Sequence, residues 1–320
     1  MQVRIGLDIG ATKTKILMIS KNGEIIAREK IRTDSDKRPE PIVERSSHAV
    51  EELMRSQKIK PSEVEAVAVG IAGFSNPHTG VIDISPNLHW YNVPFKKLMQ
   101  DRLKRPVYMA NDVNSAAWGE FCYGAGQQAQ EMVAIFVGSG IGGGVVTNGK
   151  LVEGGTGTAG EVGHMIFKPH GLKCDCGKRG CYEAYGGGMP MERRMRRAVK
   201  RGASPEIKRL VGEDLEKINT RVIRQAAEAG DAQAMNVWKE AVEALGILCA
   251  NLTSLLNPDR IVLGGGVVTG NPGLLKSIRE KIDQKAVSLS ARHVKIVKSQ
   301  LGDDAVAMGA AALADLYRKK

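Results

Sequence analysis

Residues 3–30 read VRIGLDIGATKTKILMISKNGEIIAREK, and this stretch decides the fold. β-branched and small residues alternate, the run breaks at Gly10-Ala11-Thr12, and it turns again at Asn22-Gly23. That grammar predicts three antiparallel strands. Residues 132–154, MVAIFVGSGIGGGVVTNGKLVEG, repeat it with a strand, a glycine-rich turn at Gly138 to Gly144, a second strand and then Asn148-Gly149. One design is stated twice.

Apolar strands separated by helices fill the rest: EAVAVGIAG, PVYMAND, RIVLGGGVV and VKIVKSQ alternate with helical patterns at Glu40 to Gln57, Ser115 to Tyr123, Asp231 to Leu256, Pro272 to Ala286 and Asp304 to Arg318. Such alternation means an α/β fold. The longest helix carries Val237, Ala241, Leu245, Leu248, Leu252 and Leu255 as a buried stripe, and Asn257-Pro258 ends it. No linker of biased composition divides the chain, so the boundary is inferred from the repeated hairpin. It falls near Asn114, giving a first domain of 1–114 plus the returning helix 301–320 and a second of 115–300. A cleft between two such domains favours a small-molecule site.

With 320 residues, 42% hydrophobic and 25% charged, the chain can bury a sizeable core. No apolar run of spanning length occurs, which excludes a transmembrane helix. The formal charge of +11 points to an anionic partner, whether nucleic acid, a membrane surface or a phosphorylated small molecule. The densest basic run, Arg193, Arg194, Arg196, Arg197, Lys200 and Arg201, reads as a solvated helix face in preference to a nucleic-acid contact, because no aromatic residues interleave with it for base stacking.

His164, Cys174, Cys176 and Cys181 lie on one short loop edged by Glu161 and Glu183. One imidazole and three thiolates fill the tetrahedron of Zn²⁺ without leaving a position for water, so the predicted site is structural. Gly177 and Gly180 sit where a tight knuckle must turn. The competing readings are chance clustering of core cysteines and a disulfide. Five cysteines and no secretory leader set the expectation of a reducing cytoplasm, where clustered thiols bind metal. Cys122 and Cys249 read as packing residues.

The turn Asp8-Ile9-Gly10-Ala11-Thr12-Lys13 joins two strands, so it is not a Walker loop, yet its backbone amides can cradle phosphate oxygens. Thr12 adds a hydroxyl, Lys13 a charge, and Asp8 a carboxylate suited to Mg²⁺ through water. Gly138, Ser139 and Gly140 repeat the offer, and Gly264-Gly265-Gly266 follows a third strand. Each cluster alone can be a mere bend, whereas three together suggest a gripped triphosphate. Asn111-Asp112 ends a strand and precedes a helix, so Asp112 is either a general base at a sheet's carboxyl edge or a helix cap.

With these residues assembled, the chain resembles the ROK family of bacterial sugar kinases, most closely its glucokinases, within the actin-like ATPase superfamily. The resemblance covers nearly the whole chain through LDIGATKTK at 7–15, SPNLHW at 85–90, NDVN at 111–114, GSGIGGG at 138–144, GTAGEVGH at 157–164, CDCGKRGCYE at 174–183, LLNPDRIVLGGGV at 255–267 and LGDDAVAMGAAALA at 301–314. It implies a two-domain actin-like fold, ATP with Mg²⁺, a structural Zn²⁺, a hexose substrate and a homo-oligomer, dimer or tetramer, acting without nucleic acid or membrane. Asp112 matches the catalytic base, and Asn111, Glu161, His164 and Glu183 match the sugar-binding set. Asp8, Gly10, Thr12, Lys13, Gly138, Ser139 and Gly140 match the phosphate segments, and Gly265 and Gly266 the adenosine side.

Ala11 stands where the family usually has a second glycine, and Ser139 where it has threonine. IAGFSNPHTG at Ile71 to Gly80 replaces Pro-Gly-Pro-Val beside the sugar pocket, and Tyr185-Gly186-Gly187 replaces Ala-Ser-Gly. The hexose is therefore open: glucose leads, with N-acetylmannosamine and fructose behind it. A sugar-responsive repressor is the rival class, and the first strand's start so near Met1 weighs against the winged-helix domain that it needs. An ATPase without a sugar acceptor is the third reading, against which the polar set around the metal speaks.

Overall fold

The computed structural model describes residues 2–34, 38–77 and 79–318, with Arg318 described by its backbone alone. His78, within the Ile71 to Gly80 segment, lies outside them. The chain divides into two compact units, residues 1–128, 144–160 and 300–320, and residues 129–143 and 161–299. Among the described residues no helix is long and apolar enough to cross a membrane.

In the first unit the strands are β1 (Val3–Ile9), β2 (Lys13–Ser20), β3 (Ile25–Arg32), β4 (Val64–Ile71), the small strands β5 (Phe74–Ser75), β6 (Ile82–Ser85) and β7 (Trp90–Val93), and β8 (Val107–Asn111). Helices α1 (Pro39–Ser56), α2 (Phe95–Leu103) and α3 (Asp112–Tyr123) belong with them. The main sheet runs β3-β2-β1-β4-β8. Its first three strands are antiparallel, as the alternation and the Asn22-Gly23 turn predict, while β4 and β8 run parallel to β1.

Period two sorts β1 cleanly. Val3, Ile5, Leu7 and Ile9 join a core with Ile42, Val43, Val50 and Leu53 of α1 and Phe95 and Met99 of α2. The opposite face, Arg4, Gly6 and Asp8, turns toward the C-terminal helix (Ala305–Arg318). There a Cβ on Gly6 would lie 1.8 Å from the Ala307 carbonyl oxygen. The same helix crosses α3 so closely that a Cβ on Gly309 would lie 1.7 Å from the Ser115 carbonyl oxygen. This contact, between residues far apart in sequence, is why α3 stays with the first unit. The boundary expected near Asn114 falls inside α3, whereas the unit continues to Gln128 and takes up residues 144–160.

Strands β9 (Met132–Val137), β10 (Ile141–Thr147), β11 (Lys150–Leu151), β12 (Arg260–Gly264) and β13 (Lys295–Lys298) form a sheet in the order β11-β10-β9-β12-β13. That order repeats the first sheet, two antiparallel neighbours followed by two parallel ones, as the repeated hairpin implies. The glycine turn is shorter than expected, because β10 begins at Ile141 and takes in Gly142 to Gly144. The helices are α4 (Glu183–Gly186), α5 (Gly188–Lys200), α6 (Pro205–Val211), α7 (Thr220–Glu228), α8 (Ala232–Leu256), α9 (Gly266–Gly270), α10 (Leu274–Lys285) and α11 (Ser288–His293), and the C-terminal helix of the first unit is α12.

Asp231 caps α8 by accepting the Ala234 N–H at 2.9 Å, and Asn257 ends it in the left-handed conformation. Its stripe is buried from Val237 to Leu252. Leu255 departs from the expectation, being 72% exposed, because it points away from the cluster against which its neighbour Leu256 packs. Cys249 is buried in this core, and Cys122 of α3 is half-buried. The basic helix α5 is largely paired: Arg193 with Asp175, Arg194 with Glu240, and Arg196 with Glu192 and Glu216.

Candidate functional site

The register of the first sheet sets the acidic part of the site. Asp8 lies opposite Gly70 of β4, and Asn111 opposite Ile71, so the carboxyl ends of three parallel strands bring Asp8, Asn111 and Asp112 to one edge. Asn111 is the helix cap. Its Oδ1 accepts the N–H groups of Val113 at 2.8 Å and Asn114 at 3.1 Å, while its Nδ2 donates to the Gly73 carbonyl at 3.1 Å. Asp112 shares the Val113 N–H, at 2.9 Å through Oδ1.

Burial raises the proton affinity of Asp112, against the opposing pull of the Val113 hydrogen bond. Asp8 is pushed up to about 6, first by burial and then by the negative charge of Asp112, with Lys15 opposing. A carboxylate whose ionisation a neighbouring carboxylate disfavours is a fitting place for a divalent cation. The turn beside them closes through Gly10 N–H to the Lys13 carbonyl at 3.1 Å and leaves Thr12 and Lys13 exposed. Thr33, which the sequence did not single out, braces that turn from behind. Its N–H donates to the Thr12 carbonyl at 2.9 Å and its hydroxyl to the Gly10 carbonyl at 2.7 Å.

In the second unit the knuckle closes as its spacing requires. The ligand atoms of His164, Cys174, Cys176 and Cys181 all lie within 4.8 Å of one another. Cys176 and Cys181 place their sulfurs 3.7 Å apart, and Cys174 Sγ is 3.7 Å from His164 Nδ1. A tetrahedron with Zn–S of about 2.3 Å has edges of about 3.8 Å, so the donor set fits zinc. Burial drives the thiols of Cys174 and Cys181 toward their neutral forms, a cost that a bound dication offsets.

Gly177 at φ 87° and Gly180 at φ 84° make the turns between the last ligands. With Nδ1 facing the sulfurs, His164 directs Nε2 to within 3.9 Å of Glu161 Oε2. Tyr185 has a visible job. Its hydroxyl accepts the Leu172 N–H at 2.9 Å, and its ring meets Phe167 edge-on with centroids 5.1 Å apart. It bolts the start of the knuckle to α4.

Glu183 joins this knuckle to the glycine turn. Its Oε2 accepts the Ile141 N–H at 2.8 Å, and its Oε1 is 3.6 Å from Cys174 Sγ. A Cβ on Gly140 would lie 2.2 Å from Glu183 Oε2, so a side chain there would push this carboxylate off the Ile141 amide. Gly138 and Ser139 present their carbonyls to the N–H groups of Gly188 and Met189 at the start of α5, both at 2.9 Å. They open on a cavity of about 490 Å³ together with Gly266, Val267 and Gly270.

Two of the three glycine clusters thus share one cavity. Gly266 lines it, whereas Gly265 sits behind, where a Cβ would lie 2.4 Å from the Val137 carbonyl oxygen. Glu192, Asn219, Thr220 and Arg221 also line it. They carry no glycine signature, and the only local cue was a cap: Asn219 accepts the N–H groups of Arg221 and Val222.

Two sheets of identical strand order, acids on the carboxyl edge of the first, and a glycine-lined cavity beside the second define a two-domain α/β protein of the actin-like ATPase fold. The ROK family model matches residues 4–316, and the chain belongs to that family. A glucokinase of Streptomyces coelicolor is 33% identical over 317 residues, covering 98% of each chain. A ROK family glucokinase from Streptomyces griseus, solved in complex with glucose and AMPPNP, superposes with a TM-score of 0.80 at 32% identity, covering 98% of this chain and 99% of the other. Regulators match as well: a xylose repressor of Caldicellulosiruptor bescii is 28% identical, with 97% of this chain aligned to 77% of the repressor.

Proposed function

We propose that the chain transfers the γ-phosphoryl group of ATP to the primary hydroxyl of a hexose, with glucose as the leading substrate. The observation that carries this reading is the division of labour at the end of β8. Asn111 caps the helix, so Asp112 is left as a half-buried carboxylate of raised proton affinity beside Asp8. Such a group is a better base near neutral pH than a surface aspartate.

In the proposed reaction Asp112 takes the hydroxyl proton as the sugar oxygen attacks the γ-phosphorus in line. The new O–P bond forms while the bond to the β-phosphate oxygen breaks, and ADP leaves with the electron pair. Asn111, Glu161, His164 and Glu183 are assigned to the sugar hydroxyls. With its Nδ1 turned to the sulfurs, His164 keeps Nε2 for such a contact, and Glu161 steadies the ring from the same side. Gly10, Thr12, Lys13, Gly138, Ser139 and Gly140 are assigned to the phosphates. Gly265 and Gly266 are assigned to the adenosine, which the cavity beside Gly266 has the size to accept.

Mg²⁺, for which Asp8 is the assigned ligand through water, supplies charge neutralisation on the phosphates when bound. Zn²⁺, for which His164, Cys174, Cys176 and Cys181 are assigned, is structural and leaves the chemistry to the side chains.

A coupled assay across glucose, mannose, fructose and N-acetylmannosamine with ATP and Mg²⁺ tests the reading. Sugar-dependent ADP release with a hexose 6-phosphate product is expected. Sugar-independent hydrolysis, or no turnover with any hexose, overturns it. The likeness to a xylose repressor favours one alternative, a sugar-responsive regulator. That alternative requires duplex DNA binding with a steep salt dependence.

A further inference from the structure

We propose that the face of the knuckle turned toward α5 holds a second anion site, one that takes the phosphate group of a small molecule. A cavity of about 310 Å³ is lined there by Lys173, Arg193, Arg194 and Arg197, with Leu172, Asp175, Ala184 and Pro190 completing it. The glycine-lined cavity assigned to the nucleotide shares none of these residues. Four cations converge on a space at the small end of ligand pockets.

The acids nearby are already committed. Asp175, placed between the knuckle's first two thiols, forms a bidentate pair with Arg193 at 3.0 and 2.7 Å. Glu240 divides its oxygens between Lys168 at 2.9 Å and Arg194 Nη2 at 2.5 Å. Arg194 Nη1 is buried and has no hydrogen-bond partner among the described residues. A buried guanidinium N–H without an acceptor is costly, and Arg194 is one of the residues that line the cavity.

The chemistry of the lining selects the occupant. Planar guanidinium groups match phosphate oxygens through paired charge-assisted hydrogen bonds. No aromatic ring lines the cavity, so a nucleic-acid base has nothing to stack on. The site therefore suits a compact phosphate, either inorganic phosphate or the phosphate end of a sugar phosphate. The basic run of α5 thus has a use that neither a solvated face nor a nucleic-acid contact supplies. The inference stands independently of the kinase reading.

Calorimetric titration of the full zinc-loaded chain tests it, with glucose, AMPPNP and Mg²⁺ present at saturation to occupy the proposed active site. Inorganic phosphate and glucose 6-phosphate are titrated in separate arms. Saturable binding of at least one is expected, and the stronger arm identifies the source. Arg197→Gln should weaken it about tenfold, the loss of one charge-assisted contact. Arg194→Lys, which retains the charge opposite Glu240 and lacks the second nitrogen, should weaken it similarly and covers the case in which the first variant does not fold. Absence of saturable binding in both arms, or wild-type affinity in the folded variants, overturns the proposal.

Discussion

Glu183 accepts the Ile141 N–H at 2.8 Å with one carboxylate oxygen and lies 3.6 Å from Cys174 Sγ with the other. One side chain therefore spans the cysteine knuckle and the turn that opens on the glycine-lined cavity. Replacing it with alanine leaves the Ile141 amide without its partner, a loss of about 1–3 kcal/mol. Glu183→Ala is expected to lower the melting temperature and to raise KM for both sugar and ATP. Glu183→Gln retains an acceptor and should restore most of the stability. If Glu183→Ala melts like the wild type, the bridge is energetically idle.

Metal removal should act on stability first and on sugar binding second. Elemental analysis is expected to give one zinc per chain. Cys181→Ser, or prolonged chelation, should lower the melting temperature and weaken sugar binding by about 10–100-fold, because His164 loses the metal that fixes its ring. Full sugar affinity in a metal-free, folded chain would contradict the role given to the knuckle.

Asp8 gives a pH dependence with a definite sign. Its folded-state value of about 6 lies above the ordinary 3.8. Between those two values the folded chain holds a proton that the unfolded chain has released. The group's contribution to stability therefore declines as pH rises through this window. Its negative charge is present only above about 6. The kcat/KM for MgATP, which reports the free enzyme, should fall on the acid side of pH 6. A profile flat to pH 5 would remove Asp8 from the cation's surroundings.

The crossing of α3 and α12 predicts a stability effect far from the acids. A Cβ on Gly309 would lie 1.7 Å from the Ser115 carbonyl oxygen, a backbone atom that cannot step aside cheaply. Gly309→Val should destabilise the chain by about 1–3 kcal/mol or more through overpacking, measured by urea denaturation. A wild-type midpoint would show that the helices separate without cost.

What the sequence revealed depended on how local the cause was. The three strands from Val3 to Arg32 follow from period two and one Asn-Gly turn, both contained within the stretch itself. The knuckle was legible because its four ligands fall within residues 164–181. Asp112 was ambiguous for a physical reason: adjacent Asn and Asp can each cap a helix, and only the fold shows that Asn111 does so. Thr33 and the Asn219 to Arg221 wall escaped notice because each acts on a turn or cavity built from other elements. The division at Asn114 could not foresee the Gly309 contact, and the basic run of α5 gave no sign that its acidic partners sit at Asp175 and Glu240.

The central claim is that Asp112 is the base for phosphoryl transfer to a hexose, and the Asp112→Asn variant tests it most directly. Turnover with glucose should fall by about two to four orders of magnitude, while glucose binding, followed by tryptophan fluorescence or calorimetry, stays close to that of the unsubstituted chain. An Asp112→Asn protein that phosphorylates glucose at a near-normal rate would contradict the account.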